Sequence, residues 1–257
     1  TCADGLISAE FSEGIDGEAV LVVRNFILNE LGEGLADQWR DLYVGNLSSS
    51  EYVYNADEAA RRSLKNLALR YLSNGKTEDS LQLLQSQIYS ADNMTDRLSS
   101  LATLINDSRS DAIGLAKESL HQFYEEWKHE PLVLNQWFQL QGSCSLPGGL
   151  KRVEVLMSHS AFDFKNPNKV RSLIGVFCSN NPINFHCEGG AGYHFLADQV
   201  LALDKINPQI SARILTPLTR WRSFPQARGE LMRAQLDRII STKKLSRDTY
   251  EIVSKSL

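Results

Sequence analysis

At 257 residues, with 42% hydrophobic and 23% charged residues, the chain has the balance of a globular protein and ample material for a buried core. Its formal net charge of −4 suits neither a nucleic-acid binder nor a polybasic membrane anchor. No apolar run approaches the ~20 residues of a membrane span, and no charged n-region leads into an apolar stretch as in a signal peptide.

Thr1 in place of Met suggests a processed or excised piece. Residues 1–16, rich in Gly, Asp, Glu and Ser, read as a loose lead-in or the stump of a removed element. From residue 17 to 257 the chain reads as one helical domain. Residues 55–74 place Ala56, Ala59, Ala60, Leu64, Leu67, Ala68, Tyr71 and Leu72 at i, i+3, i+4 spacing, an apolar stripe that Asn74-Gly75 terminates. Thr77 is placed to cap a second helix with Leu81, Leu84 and Ile88 inside. A third runs from Asp92 through Met94, Leu98, Leu101, Ala102 and Ile105. A fourth follows Ser108, with Ala112, Ala116, Leu120, Phe123 and Trp127 in register.

Beyond Pro131 the spacing predicts shorter helices over 131–142, 149–157, 166–178, 192–206, 208–222, 225–241 and 246–256. Pro225 falls in a first turn, and Ser246 caps the last helix. Trp127, Trp137, Phe138 and Trp221 fit core positions. Alternating strand patterns are absent and no fixed-period repeat emerges. The expected fold is all-α, a superhelical stack of irregular antiparallel helix pairs of the HEAT/armadillo kind.

Charge is distributed unevenly. Residues 1–130 carry a net −11, 131–204 are balanced, and 205–257 carry +7. Solvated helix faces explain most of this, although the basic end would also favour a small anion. The four cysteines, Cys2, Cys144, Cys178 and Cys187, lack paired spacing, which points to a reducing compartment, the cytoplasm or an organelle. Sequons at Asn46, Asn93 and Asn106 match chance frequency in this composition.

Cys178, His186, Cys187, Glu188 and His194 form the densest cluster of metal-ligand types. No C-x2-C or H-x3-H pair occurs among them, so a loop with buried thiols is the better account and no metal is expected. Gly189-Gly190-Ala191-Gly192 could present N–H groups to an anion. Without a preceding strand or a following Lys-Ser/Thr, it reads as a tight turn into a helix. No nucleophile elbow and no His-Glu-x-x-His is present, so no catalytic residue is assigned.

Several strings, in order, carry a resemblance. They are Asp92-Asn93-Met94-Thr95-Asp96, Leu132-Val133-Leu134-Asn135-Gln136-Trp137-Phe138, Asn166-Pro167-Asn168-Lys169-Val170-Arg171-Ser172-Leu173-Ile174-Gly175, Asn181-Pro182-Ile183-Asn184-Phe185-His186, Gly192-Tyr193-His194-Phe195-Leu196-Ala197-Asp198, and Asn207-Pro208-Gln209-Ile210-Ser211-Ala212-Arg213, followed by Arg220-Trp221. Together they resemble the C-terminal domain of the alanyl-aminopeptidase branch of the aminopeptidase N family, over roughly residues 17–257. The chain departs from the family at Gly189-Gly190-Ala191-Gly192-Tyr193, where Asp-Gly-Ser-Gly-Tyr is usual. By the same resemblance, the family domain's first helices are expected to be missing from its beginning.

The resemblance implies a zinc enzyme whose metal, general base and amine anchor lie in another domain, so this chain itself needs no cofactor. It also implies that this domain covers the active site, restricts access and lines part of a channel for peptides, with the catalytic domain as partner. Arg171 and Arg213 match family positions facing the departing part of the peptide, and Gln209 matches a residue lining the pocket for the first side chain. Gln209 and Arg213 stand four apart, about 6 Å along one helix face. A guanidinium fork suits a peptide carbonyl or carboxylate. The other reading of the same helices is a freestanding HEAT-like scaffold for protein interactions.

Overall fold

The computed structural model describes residues 17–48 and 52–257. The lead-in expected over 1–16 lies outside the described residues. Helices α1 (Gly17–Gly34), α2 (Ala36–Gly45), α3 (Ala56–Asn74), α4 (Ser80–Ser90), α5 (Met94–Leu104), α6 (Ser110–Trp127) and α7 (Pro131–Ser143) come first. Then follow α8 (Gly149–Met157), α9 (Pro167–Val170), a π turn (Arg171–Gly175), α10 (Val176–Asn180) and α11 (Pro182–Phe185). The chain ends with α12 (Ala191–Asp204), α13 (Pro208–Ile214), α14 (Thr216–Thr219), α15 (Gln226–Ile240) and α16 (Arg247–Ser256). Among the described residues there is no strand, and the all-α expectation holds.

The helices gather into two compact units, one of Leu21–Leu140 and one that holds Gln141–Leu257. In the first, α2 packs on α3, α4 on α5, and α3 on α5. Ala68, Leu69, Leu72, Leu84, Ile88, Leu101 and Leu104 are buried between them. Asn55 caps α3 by accepting from the Glu58 N–H at 2.8 Å, and Asn93 caps α5 by accepting from the Asp96 N–H at 2.9 Å.

Two details of this unit correct the sequence reading, and a third adds to it. Leu64 and Leu67 are exposed while Arg62 and Lys65 are buried on α3. The inner face is therefore rotated toward a polar interior, where Lys65 Nζ meets Asp96 at 2.6 Å. Asn74-Gly75 ends α3 as expected, with Gly75 at φ −70° and the positive φ, 52°, falling on Lys76. Glycine is needed there for close approach, because a Cβ on Gly75 would sit 2.4 Å from the Gly32 carbonyl carbon where α1 crosses. Thr77 does not cap α4. Its carbonyl accepts from Ser80, while Asp79 holds the cap position and bonds Arg40 instead of the helix.

In the second unit α12 packs on α13 and α15, and α13 on α16. Phe177, Phe185, Tyr193, Leu196, Val200, Leu215, Leu218, Met232, Leu236 and Val253 form its core. The helix expected over 208–222 is broken into α13, α14 and a 3-10 turn at Trp221–Ser223. Pro217 has no N–H for the Arg213 carbonyl, and the Thr216 hydroxyl donates to that carbonyl at 2.8 Å in its place. Trp221 is half-buried rather than core; its indole donates to the Ser256 carbonyl at 2.9 Å, and Arg222 stacks on its ring. Trp127 is likewise half-buried, whereas Trp137 and Phe138 are buried as expected.

Candidate functional site

The stretch 166–180 begins with Asn166, whose side chain accepts from the Asn168 N–H at 2.9 Å, and with Pro167 in the first turn. After Val170 the helix widens, and the Val176 N–H reaches back five residues to the Arg171 carbonyl. Such π turns inside α-helices recur at functional positions. Val170, Ser172, Leu173, Ile174 and Phe177 are all buried, and Arg171 is the exposed residue among them. Its Nε donates to the Pro167 carbonyl at 3.2 Å. Among the described residues its guanidinium has no carboxylate partner.

Helix α13 is short and fixed at both ends. The Asn207 side chain accepts from the Ile210 N–H at 3.2 Å, and Thr216 closes the other end as described above. Ile210, Ser211 and Ile214 face the core, where Ser211 Oγ donates to the Val200 carbonyl at 2.9 Å and accepts from Thr249 at 3.1 Å. Gln209 and Arg213 lie on the opposite, exposed side. Neither side chain has a hydrogen bond or ion pair among the described residues. The π turn that carries Arg171 packs directly against α13. The three residues implied by the resemblance therefore sit on two neighbouring segments of one unit, all at the surface.

A cation that the sequence reading did not single out precedes them. Lys169 is buried, and desolvation pushes its pKa below the ordinary lysine value. Its position two residues before Arg171 puts it on the opposite side of the helix, a hint that periodicity alone offered.

The metal-ligand types around 178–194 are spread over separate local roles. Cys178 is fully buried, and desolvation pushes its thiol pKa well up. His186 Nδ1 lies 2.8 Å from the Tyr193 hydroxyl, with the imidazole packed against Phe185 and Phe224. Burial, and secondarily the Arg228 charge, lower the His186 pKa to about 4. His194 pairs instead with Asp198 at 3.2 Å. Among the described residues no three His, Cys, Asp or Glu stand together as a metal site.

The glycine run forms the tight turn the sequence suggested. Gly189 and Gly190 take φ 82° and 72°, and a Cβ on Gly192 would lie 2.2 Å from the Phe185 carbonyl oxygen. The asparagines of the 181–186 string are architectural. Asn181 donates to the Gly142 and Cys144 carbonyls at 3.0 and 2.8 Å, and Asn184 accepts from the Gly149 N–H at 2.9 Å.

A family model described as "Domain of unknown function (DUF3458_C) ARM repeats" matches residues 4–257. The chain belongs to this family. The ARM-repeat domain is 36% identical to Aminopeptidase N of Escherichia coli over 250 residues, 97% of this chain and 28% of that protein. It is 36% identical to Aminopeptidase N of Caulobacter vibrioides over 246 residues, 95% of this chain and 28% of that protein. The crystal structure of Legionella pneumophila aminopeptidase A in complex with aspartic acid matches with a TM-score of 0.86 at 30% identity, covering 97% of this chain and 29% of that one. The chain thus spans less than a third of the length of these relatives and corresponds to the C-terminal domain of aminopeptidase N. Its all-α helices form a helical repeat stack.

Proposed function

We propose that this domain serves a zinc aminopeptidase that removes N-terminal residues from peptides, covering the active site, restricting access to it and lining part of the substrate channel. Arg171, Gln209 and Arg213 are the substrate-facing residues in this reading. The observation that carries it is the pairing of Gln209 and Arg213 one turn apart on the exposed face of α13, both without a side-chain partner among the described residues, beside the segment that bears Arg171. An exposed guanidinium without a carboxylate partner keeps its donors for a ligand.

Zinc, which the family generally uses, would be held outside the described residues, in the catalytic domain that is the proposed partner. A face of α1 supports such a partner, since Val22, Val23 and Phe26 are 63%, 56% and 61% exposed. Arg213 would meet the peptide beyond the cleaved bond and bind a backbone carbonyl or C-terminal carboxylate, while Gln209 would border the pocket for the first side chain.

The test is Arg213→Ala in the full-length protein. Loss of a charge-assisted contact of about 1.5–3 kcal/mol should lower kcat/KM for di- and tripeptides by about 10- to 100-fold. Amino-acid amide reporters, which end before that contact, should be nearly unaffected. Equal losses on both substrate types, or no loss on either, would refute the assignment.

A further inference from the structure

A second polar site lies in the unit Leu21–Leu140. A cavity of about 320 Å³ opens between α2, α3, α4 and the start of α5. Arg62 lines it and is only 9% exposed, yet its guanidinium has no hydrogen bond or ion pair among the described residues. The guanidinium carbon lies over the Tyr52 ring, 4.9 Å from its centroid. Tyr43, 5% exposed, also lines the cavity, and its hydroxyl has no partner among the described residues. Among the described residues neither group has a hydrogen-bond or ion-pair partner, so both leave donors at the cavity that water fills and that a bound acceptor could take over.

The remaining charges around the cavity narrow the ligand. Lys65 and Asp96 neutralise each other at 2.6 Å. Glu58 and Asp92 also line the space, Glu58 with only a 3.8 Å contact to Arg61. Among the described residues a phosphate would meet one unpaired cation, Arg62, and two carboxylates, an unfavourable balance. A molecule with one carboxylate and one ammonium matches both signs. The volume falls at the small end of ligand pockets, ~300–1,000 Å³.

We propose that this cavity binds a small zwitterion, a free amino acid or dipeptide, with its carboxylate on Arg62 and Tyr43 and its ammonium toward Glu58 and Asp92. The planar guanidinium offers a carboxylate two parallel N–H bonds, and the Tyr43 hydroxyl adds a third donor. Burial and the Asp96 charge raise the Tyr43 pKa, which keeps that phenol protonated and able to donate. Tyr52, half-exposed over the guanidinium, closes the cation's other face.

The 257-residue chain is to be titrated with alanine, dialanine, acetate, methylamine and inorganic phosphate, by calorimetry and by the Arg62 Nε–H resonance. Alanine or dialanine should bind saturably and shift that resonance, more tightly than acetate, with methylamine and phosphate far weaker. Arg62→Gln should weaken binding by about 10-fold or more. Tyr43→Phe, which keeps the ring packing, should weaken it by several-fold and serves if Arg62→Gln does not fold by circular dichroism. Absence of saturable binding would overturn the proposal, because the cavity then holds only water. Phosphate or methylamine binding as tightly as alanine, or alanine binding unchanged in both variants, would overturn it equally.

Discussion

Replacing Asp96 by Asn tests whether the interior of the first unit is organised around an ion pair. Lys65 and Asp96 have side chains 9% and 5% exposed and meet at 2.6 Å. Asn66 and Asn93 also donate to the carboxylate, at 2.9 and 3.0 Å. Asparagine preserves the shape and one acceptor oxygen but leaves the Lys65 ammonium in the interior without a counter-charge. Removing one partner of a buried pair costs about 3–5 kcal/mol, because the surviving charge remains desolvated. For a protein of this size that corresponds to a fall in Tm of about 6–20 °C. Thermal unfolding followed by far-ultraviolet circular dichroism reads it directly. Adding Lys65→Met should recover at least about half of the loss, since the stranded charge is then gone. A fall in Tm below about 2 °C for Asp96→Asn, or a double variant no more stable than the single one, would refute the argument.

Two further outcomes follow from the second unit. Burial lowers the His186 pKa to about 4, so the unfolded chain binds the extra proton first as pH falls from 6.5. Its contribution to stability is fully present above pH 6.5 and is lost toward pH 4, at about 1.4 kcal/mol per pH unit, and His186→Gln should flatten that part of a stability–pH profile measured by urea denaturation. Gly192→Ala, with its Cβ 2.2 Å from the Phe185 oxygen, should cost about 3 kcal/mol, whereas Gly189→Ala, in open space at φ 82°, should cost about 1–2 kcal/mol. Equal urea midpoints for the two alanine variants would contradict the close-approach argument.

Much of the helix order was legible because periodicity and caps act locally. The spans 149–157 and 55–74 match α8 and α3 to within a residue, and Ser246 caps α16 as expected, accepting from the Thr249 N–H at 3.3 Å. What escaped depends on partners distant in sequence or on competition within the backbone. Lys65 and Asp96 are 31 residues apart, so the inward turn of two cations on α3 had no local signature. The role of Gly75 is set by Gly32 on another helix. Pro217 did carry a local signal, a missing N–H in mid-helix, but the apolar spacing of Ile214, Leu215 and Leu218 concealed it. The exposed side shared by Gln209 and Arg213 was readable from their i, i+4 spacing. Their proximity to the Arg171 segment was not, because it arises where the π turn packs against α13.

The π turn at Arg171–Gly175 has a consequence for how this surface can vary. A π turn holds one residue more than the α-helical turn it replaces, so deleting one residue there would leave a regular and locally better-bonded helix. That shorter helix would rotate everything before it by about 100° relative to Phe177, in proportion to 3.6 residues per turn. Arg171 would swing off its exposed side, and Lys169 and Val170 would leave the interior with it. The extra residue therefore works as an angular spacer: it sets where the guanidinium points while the apolar residues on either side keep their seats. Single-residue insertions and deletions in this window would thus redirect a surface cation more sharply than any substitution at position 171.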